Sequence, residues 1–129
     1  MEGGRNHRQE LGRRGEDEAC RFLESQGHTI LERNWRSGHL EIDIISYDSA
    51  GIHFVEVKAR QMSIQAPPQE NVDTTKQRNI VNAAKRYLRK ADSLPPGNHE
   101  YMFDVVGITF EGESVQIEWF PQAYIPIYV

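Results

Sequence analysis

Cysteine is almost absent from this 129-residue chain: Cys20 stands alone, which excludes an internal disulfide and the sulfur-rich kinds of zinc site. Long apolar runs are missing too, and no segment approaches the roughly 20 consecutive apolar residues that a membrane-crossing helix needs. The opening residues, MEGGRNHRQELG, carry no apolar centre of the secretory kind, so the expected compartment is the cytoplasm, with no membrane partner. No glycine-rich loop has P-loop or dinucleotide spacing, the GRRGE segment included, and no serine sits in a nucleophile elbow. The histidines His7, His28, His39, His53 and His99 are scattered without close ligand spacing. These absences remove nucleotide-loop, serine-hydrolase and sulfur-zinc chemistry from consideration.

What is present suits one globular domain over residues 1–129, with 38% apolar and 26% charged residues. A chain of this length buries roughly two-thirds of the surface that its unfolded form exposes. The net charge of −4 argues against a nucleic-acid partner taken alone, but the charge is unevenly placed. Lys76, Arg78, Lys85, Arg86, Arg89 and Lys90 fall in one stretch with no acid, whereas everything from Glu100 onward has acids and no lysine or arginine. One surface can therefore be basic within an acidic whole; a solvated helix face balanced by acidic strands fits the same pattern.

The first residues, through about 8, are glycine-rich and polar and are expected to be loose. A helix is expected from about Gln9 to Gln26, with Leu11, Gly12, Gly15, Ala19, Phe22 and Leu23 on one face. Its two glycines weaken it by roughly 1 kcal/mol each, which suggests a close approach by another element. Strands are expected at 28–35, 39–46 and 52–60, the last two forming an antiparallel hairpin through YDSAG. Residues 61–73 read as a long loop. A second helix, capped by Asp73 or Thr74, runs to about Ala91 with Ile80, Val81, Ala84, Tyr87, Leu88 and Ala91 as its apolar stripe. Two strands follow, EYMFDVVGITF and SVQIEWF, giving the order α-β-β-β-α-β-β and a mixed sheet flanked by helices.

The anomaly lies in HLEIDIISYDSAGIHFVEVKAR, where apolar strands carry Glu41, Asp43 and Glu56, followed by Lys58. Side chains alternate along a strand, so Glu41, Asp43 and Ile45 are expected on one face and Leu40, Ile42 and Ile44 on the other. Ile52, Phe54, Glu56 and Lys58 share a face of the next strand. Whether Asp43 and Glu56 become neighbours depends on a register that a one-residue slip would destroy. Two compensations are open for such acids. One is a salt bridge, with Lys58 or Arg60 neutralising Glu41 or Glu56; the other is a hard divalent cation held by carboxylate oxygens. Glu16, on the packed arc of the first helix, is a further acid aimed inward, and Asp104 raises the same question, with Arg33 or Arg36 as candidate partners.

An acid on the first helix, Asp43 in the second strand and E-x-K in the third together resemble the PD-(D/E)xK nuclease superfamily, whose restriction-endonuclease-like fold includes archaeal Holliday-junction resolvases. More narrowly, the blocks GRRGEDEACRFLESQGHTILERNWRSGHLEIDIIS, FVEVKAR, KQRNIVNAAKRYL and FDVVGI resemble the YraN-like uncharacterised bacterial family, over about residues 10–120. The resemblance implies an α/β restriction-endonuclease-like domain and a nuclease that hydrolyses nucleic-acid phosphodiesters with Mg²⁺ or Mn²⁺. It implies Asp43 and Glu56 as metal ligands and Lys58 and Glu16 as further members of the catalytic set, with Glu41 as an additional acid. Arg13, Arg14, Arg60, Lys76, Arg78, Lys85 and Arg86 are the expected phosphate contacts, DNA is favoured over RNA, and the resolvases' habit implies a homodimer. The alternative is a non-catalytic nucleic-acid-binding or assembly module that keeps the fold. His39 and Leu40 stand where the family often has glycine, and no P-D dipeptide precedes the pattern.

Overall fold

The computed structural model describes residues 3–62, 73–92 and 94–124. Helix α1 spans Gly3–Ser25, strand β1 Thr29–Ser37, β2 Leu40–Asp48, β3 Gly51–Gln61, helix α2 Thr74–Lys90, β4 Tyr101–Glu111 and β5 Ser114–Phe120. The expected order of elements is the observed one. The strands form one sheet in chain order, antiparallel throughout except for the parallel β3–β4 pair. A parallel pair needs a crossover, and α2 lies within that connection. The result is a mixed α/β architecture consistent with a restriction-endonuclease-like fold.

The two helices cover opposite faces of the sheet. On one face, Ile80, Val81, Ala84 and Tyr87 of α2 pack on Leu40, Ile42, Ile45, Ile52, Phe54, Phe103 and Val105. On the other, Ala19, Cys20 and Leu23 of α1 pack on Ile44, Val55, Val106, Ile108 and Phe110. Strands β3 and β4 are buried on both sides, which explains their long apolar runs. Asp73 caps α2, its carboxylate accepting from the Lys76 N–H at 2.8 Å. Cys20 is a small core residue, and burial raises its thiol above its ordinary value.

Three expectations need correction. Helix α1 begins at Gly3 rather than near Gln9: Arg5, Gln9 and Glu10 are competent helix formers, and His7 Nε2 lies 3.0 Å from Gln61 Oε1, tying that end to β3. Met1 and Glu2 lie outside the described residues, as do residues 63–72 of the expected loop. The regular alternation of β2 also fails, because Ile45 packs with Leu40 and Ile42 while Ile44 turns to the α1 side. The break falls at Asp43. The residue facing it in β1, between the Arg33–Ile44 and Trp35–Ile42 pairs, is Asn34, held at φ 53°. Finally, only one of the two helix glycines meets a neighbour: a Cβ on Gly15 would lie 2.5 Å from Ala59 Cβ, whereas nothing approaches Gly12.

The glycine pair yields opposite expected outcomes. Gly15→Ala destabilises by about 1–3 kcal/mol, since α1 must lift off β3, and Ala59→Gly in the same chain restores most of the loss. Gly12→Ala stabilises by roughly 0.5–1 kcal/mol, because its site is open and only helix propensity changes. Denaturant unfolding of the three variants against wild type checks both signs.

Candidate functional site

The β2–β3 ladder runs from the Asp48–Gly51 pair at the turn to Ile44–Val55 and stops there, although both strands continue. Beyond that point the strands part. The amide of Val57 has lost its ladder partner, and the Asp43 carboxylate replaces it, accepting the Val57 N–H at 2.9 Å. Asp43 therefore aims into the gap between the strands, one residue beyond the last pair on β2, while Glu56 stands one residue beyond it on β3. The two acids are neighbours, as the resemblance requires. Lys58 follows Glu56 on the same face of β3.

Burial, the charge of Glu56 and, more weakly, the charge of Glu16 push Asp43 up to about 8, against the pull of the Val57 amide; a hydrogen bond between the two carboxyls adds to the rise. At neutral pH the Asp43 carboxyl thus keeps a proton, the usual outcome for adjoining carboxylates without a cation between them. Glu56, with its side chain only 8% exposed, is paired instead with Lys76 of α2 at 2.7 Å. Burial alone would lower the Lys76 ammonium, but the hydrogen bond to Glu56 outweighs it and raises that group.

Glu16 is the least exposed of the three consecutive acids on α1. It accepts from Asn34 Nδ2 at 2.9 Å and lies 3.8 Å from the Arg33 guanidinium. The close Gly15–Ala59 contact is what brings this turn of α1 down to the splayed strands. Glu41 pairs with Arg36 at 3.5 Å and lines an open cleft of about 360 Å³ with His39, Asp73, Thr75, Lys76 and Asn79. Among the described residues, Glu41 pairs with Arg36 and Glu56 with Lys76 rather than with Lys58 or Arg60 across the hairpin. The latter pair lie towards the open end of β3, half-buried.

The basic residues do not make one continuous face. Arg13 and Arg14 ride on α1, across the sheet from α2, and the Arg14 guanidinium sits 4.3 Å from the centre of the Phe110 ring. Lys76, Arg78, Lys85 and Arg86 lie on α2, where Arg86 Nη1 reaches the Ser37 carbonyl at 3.3 Å.

A second polar cluster lies at the closed end of the hairpin, on the α1 side, where the scattered histidines gave no signal. Asp104, fully buried, binds His53 Nδ1 at 2.6 Å and accepts the Gln122 N–H at 2.8 Å, so neither Arg33 nor Arg36 is its partner. His53 Nε2 lies 2.8 Å from Asp48 Oδ1, and His28 Nε2 lies 3.2 Å from Asp48 Oδ2. His28, Asp48 and His53 each present a ligand-capable atom, all within 4.8 Å of one another. Burial lowers His28, and neighbouring His53 adds to this. For His53, burial is outweighed by hydrogen bonds to Asp104 and Asp48, which raise it. The sequence signal for this group was the closeness of Asp48 and His53 on the two sides of a short turn; His28 arrives through tertiary structure.

A mixed sheet between two helices is the restriction-endonuclease-like architecture to which the sequence blocks pointed. The model of the uncharacterised protein family UPF0102 matches residues 15–108. A UPF0102 protein of Geobacter metallireducens is 43% identical over 92% of this chain and 94% of its own length, and one of Syntrophotalea carbinolica is 41% identical over 88% and 90%. A Bacteroides thetaiotaomicron relative, also a UPF0102 protein, is 35% identical over 91% and 93%. The chain belongs to the UPF0102 family.

The Lys76–Glu56 pair is testable without reference to function. Lys76→Ala strands a buried carboxylate and costs about 1–3 kcal/mol. The double variant Lys76→Ala/Glu56→Gln loses less than the sum of the single losses, with a coupling on the order of 1 kcal/mol. A double-mutant cycle by urea unfolding reads the coupling directly.

Proposed function

We propose that this protein is a metal-dependent nuclease that hydrolyses phosphodiester bonds of nucleic acid, with Asp43 and Glu56 as the ligands of Mg²⁺ or Mn²⁺. The observation that carries the reading is the Asp43–Glu56 pair, two adjoining carboxyl groups placed by the divergence of β2 and β3, one held protonated and the other held by an ammonium. Two oxygen donors on rigid strands with an open cleft beside them fit a hard cation that keeps some water. When bound, such a cation supplies Lewis-acid polarisation of a phosphoryl oxygen and a more acidic water.

The chain's own residues do the rest. Water adds to phosphorus and gives up a proton to solvent, the bond to the leaving sugar oxygen breaks, and that oxygen takes a proton from solvent. Lys58, on the face of Glu56, donates to a non-bridging phosphate oxygen as charge builds there. Glu16, steadied by Asn34 and Arg33, adds negative potential at Asp43 and completes the acid set. With a cation held by Asp43 and Glu56, Lys76 would be released from Glu56 and, with Arg78, Lys85 and Arg86 on α2 and Arg13, Arg14 and Arg60 on α1 and β3, would contact backbone phosphates. Such contacts position a substrate without reading sequence, so a structural preference on DNA is the favoured specificity. A cytoplasmic homodimer, by likeness to the resolvases, would present two such clefts.

The second reading, a non-catalytic module that binds nucleic acid or serves assembly, draws on the same Lys76–Glu56 contact, which already supplies a counter-charge without metal. Metal titration with activity assays separates the two. On the first reading, Mn²⁺ raises the melting temperature of the wild type but not of Asp43→Asn or Glu56→Gln, and cleavage of flapped, four-way, duplex or single-stranded DNA falls at least about 100-fold in Glu56→Gln and Lys58→Ala. A wild type unmoved by Mn²⁺ and inactive on every substrate, RNA included, supports the second.

The pH dependence has a defined sign. Asp43 ionises near its ordinary 3.8 in the unfolded chain and at about 8 in the folded one, so folding takes up a proton between those values. Its contribution to stability is therefore retained at low pH and declines as pH rises through about 8. Asp43→Asn, which can still accept from Val57, removes this decline and is more stable than wild type above about pH 8, by on the order of 1 kcal/mol or more. Mn²⁺ affinity of the wild type rises over the same range, because the cation must displace that proton. Unfolding and calorimetry across pH check both.

A further inference from the structure

We propose that His28, Asp48 and His53 form a second cation site, specific for a borderline divalent metal of the zinc class and separate from the Asp43–Glu56 pair. The inference stands on the donor geometry and is independent of the nuclease reading. His28 has no exposed side-chain surface, its Nδ1 lies 2.8 Å from Ser46 Oγ, and its Nε2 has no hydrogen-bond partner although it faces Asp48 Oδ2 at 3.2 Å. In the tautomer that donates its Nδ1 proton to Ser46, a buried nitrogen lone pair confronts a carboxylate lone pair, an arrangement that a cation between them relieves.

His53 is prepared in the same way. Its Nδ1 is engaged by Asp104 at 2.6 Å, and Asp104 is itself fixed by the Gln122 amide, so the imidazole is locked with Nε2 directed at Asp48. A carboxylate behind a ligating histidine sets its tautomer and raises its basicity. Three donors thus converge, two imidazole Nε2 atoms and one carboxylate oxygen, each within 4.8 Å of the others. Asp48 is 19% exposed and leaves a path to solvent and a fourth position for water. Two nitrogens and one oxygen suit Zn²⁺, Co²⁺ or Ni²⁺, whereas Mg²⁺ prefers the all-oxygen pair at the open end. Metal entry releases the proton shared by His53 and Asp48 and ties the segment before β1 to the β2–β3 turn.

The test uses the full chain stripped with a chelator, titrated with Co²⁺ by visible absorption and with Zn²⁺ by calorimetry. Expected are one equivalent bound with low-symmetry ligand-field bands, retained in Asp43→Asn; at least about 100-fold weaker binding in His28→Gln and His53→Gln; and about 10-fold weaker binding in Ser46→Ala. Equal Zn²⁺ affinity in wild type and the histidine variants, or no ligand-field band in wild type, overturns the assignment. If the variants do not fold, imidazole NMR of the wild type decides: Zn²⁺ must move the His28 and His53 ring signals at one equivalent, and a response confined to His7, His39 and His99 overturns it. Retention of the Co²⁺ bands in Asp43→Asn keeps the result distinct from failure or success of the Asp43–Glu56 site.

Discussion

The parting of β2 and β3 beyond the Ile44–Val55 pair is the constraint on which the rest of the site depends. A ladder that continued would satisfy its amides with carbonyls and leave Asp43 on one face of a closed sheet. Because it stops, the Val57 amide is filled by the Asp43 carboxylate, and that hydrogen bond fixes the acid in the gap beside Glu56. Two carboxyls then share a space too poor in water for both to ionise alone. The elevated Asp43 and the ammonium of Lys76 at Glu56 answer that placement, while the Gly15–Ala59 contact brings Glu16 of α1 near enough to add to it.

Much of this was legible in the sequence. The strands announced themselves by β-branched runs bounded by turn residues, and α2 by an apolar stripe that the structure buries. The nearness of Asp43 and Glu56 depended on register, and the turn through YDSAG with its Asp48–Gly51 closure supplies the one that brings them together. Strict alternation misled for β2, since a local irregularity opposite Asn34 sends Ile44 and Ile45 to unexpected faces. That irregularity re-aims one side chain, a recurring device beside functional sites, and no pattern of period two can report it.

Partners of charged groups were the least legible feature. Lys76 looked like one more cation on a basic helix; only the packing of α2 over β2 puts its ammonium on Glu56. Asp104 looked for an arginine and found His53, and His28 joined the group through the fold's own path from α1 into β1. Such pairings join residues far apart in the chain, so spacing rules for motifs within one element cannot foresee them. They also divide the hairpin by chemistry, with oxygen donors where it opens and imidazoles where it closes.

Membership of UPF0102 fixes the lineage of the fold, and the acid pair is what turns that lineage into a chemical claim. The most direct measurement is a crystal structure from Mn²⁺-soaked crystals with anomalous data collected at the manganese edge. The account predicts anomalous density between the carboxylates of Asp43 and Glu56, with the Lys76 ammonium moved away from Glu56. A Lys76–Glu56 contact left intact at saturating Mn²⁺, with no density between the acids, would contradict it.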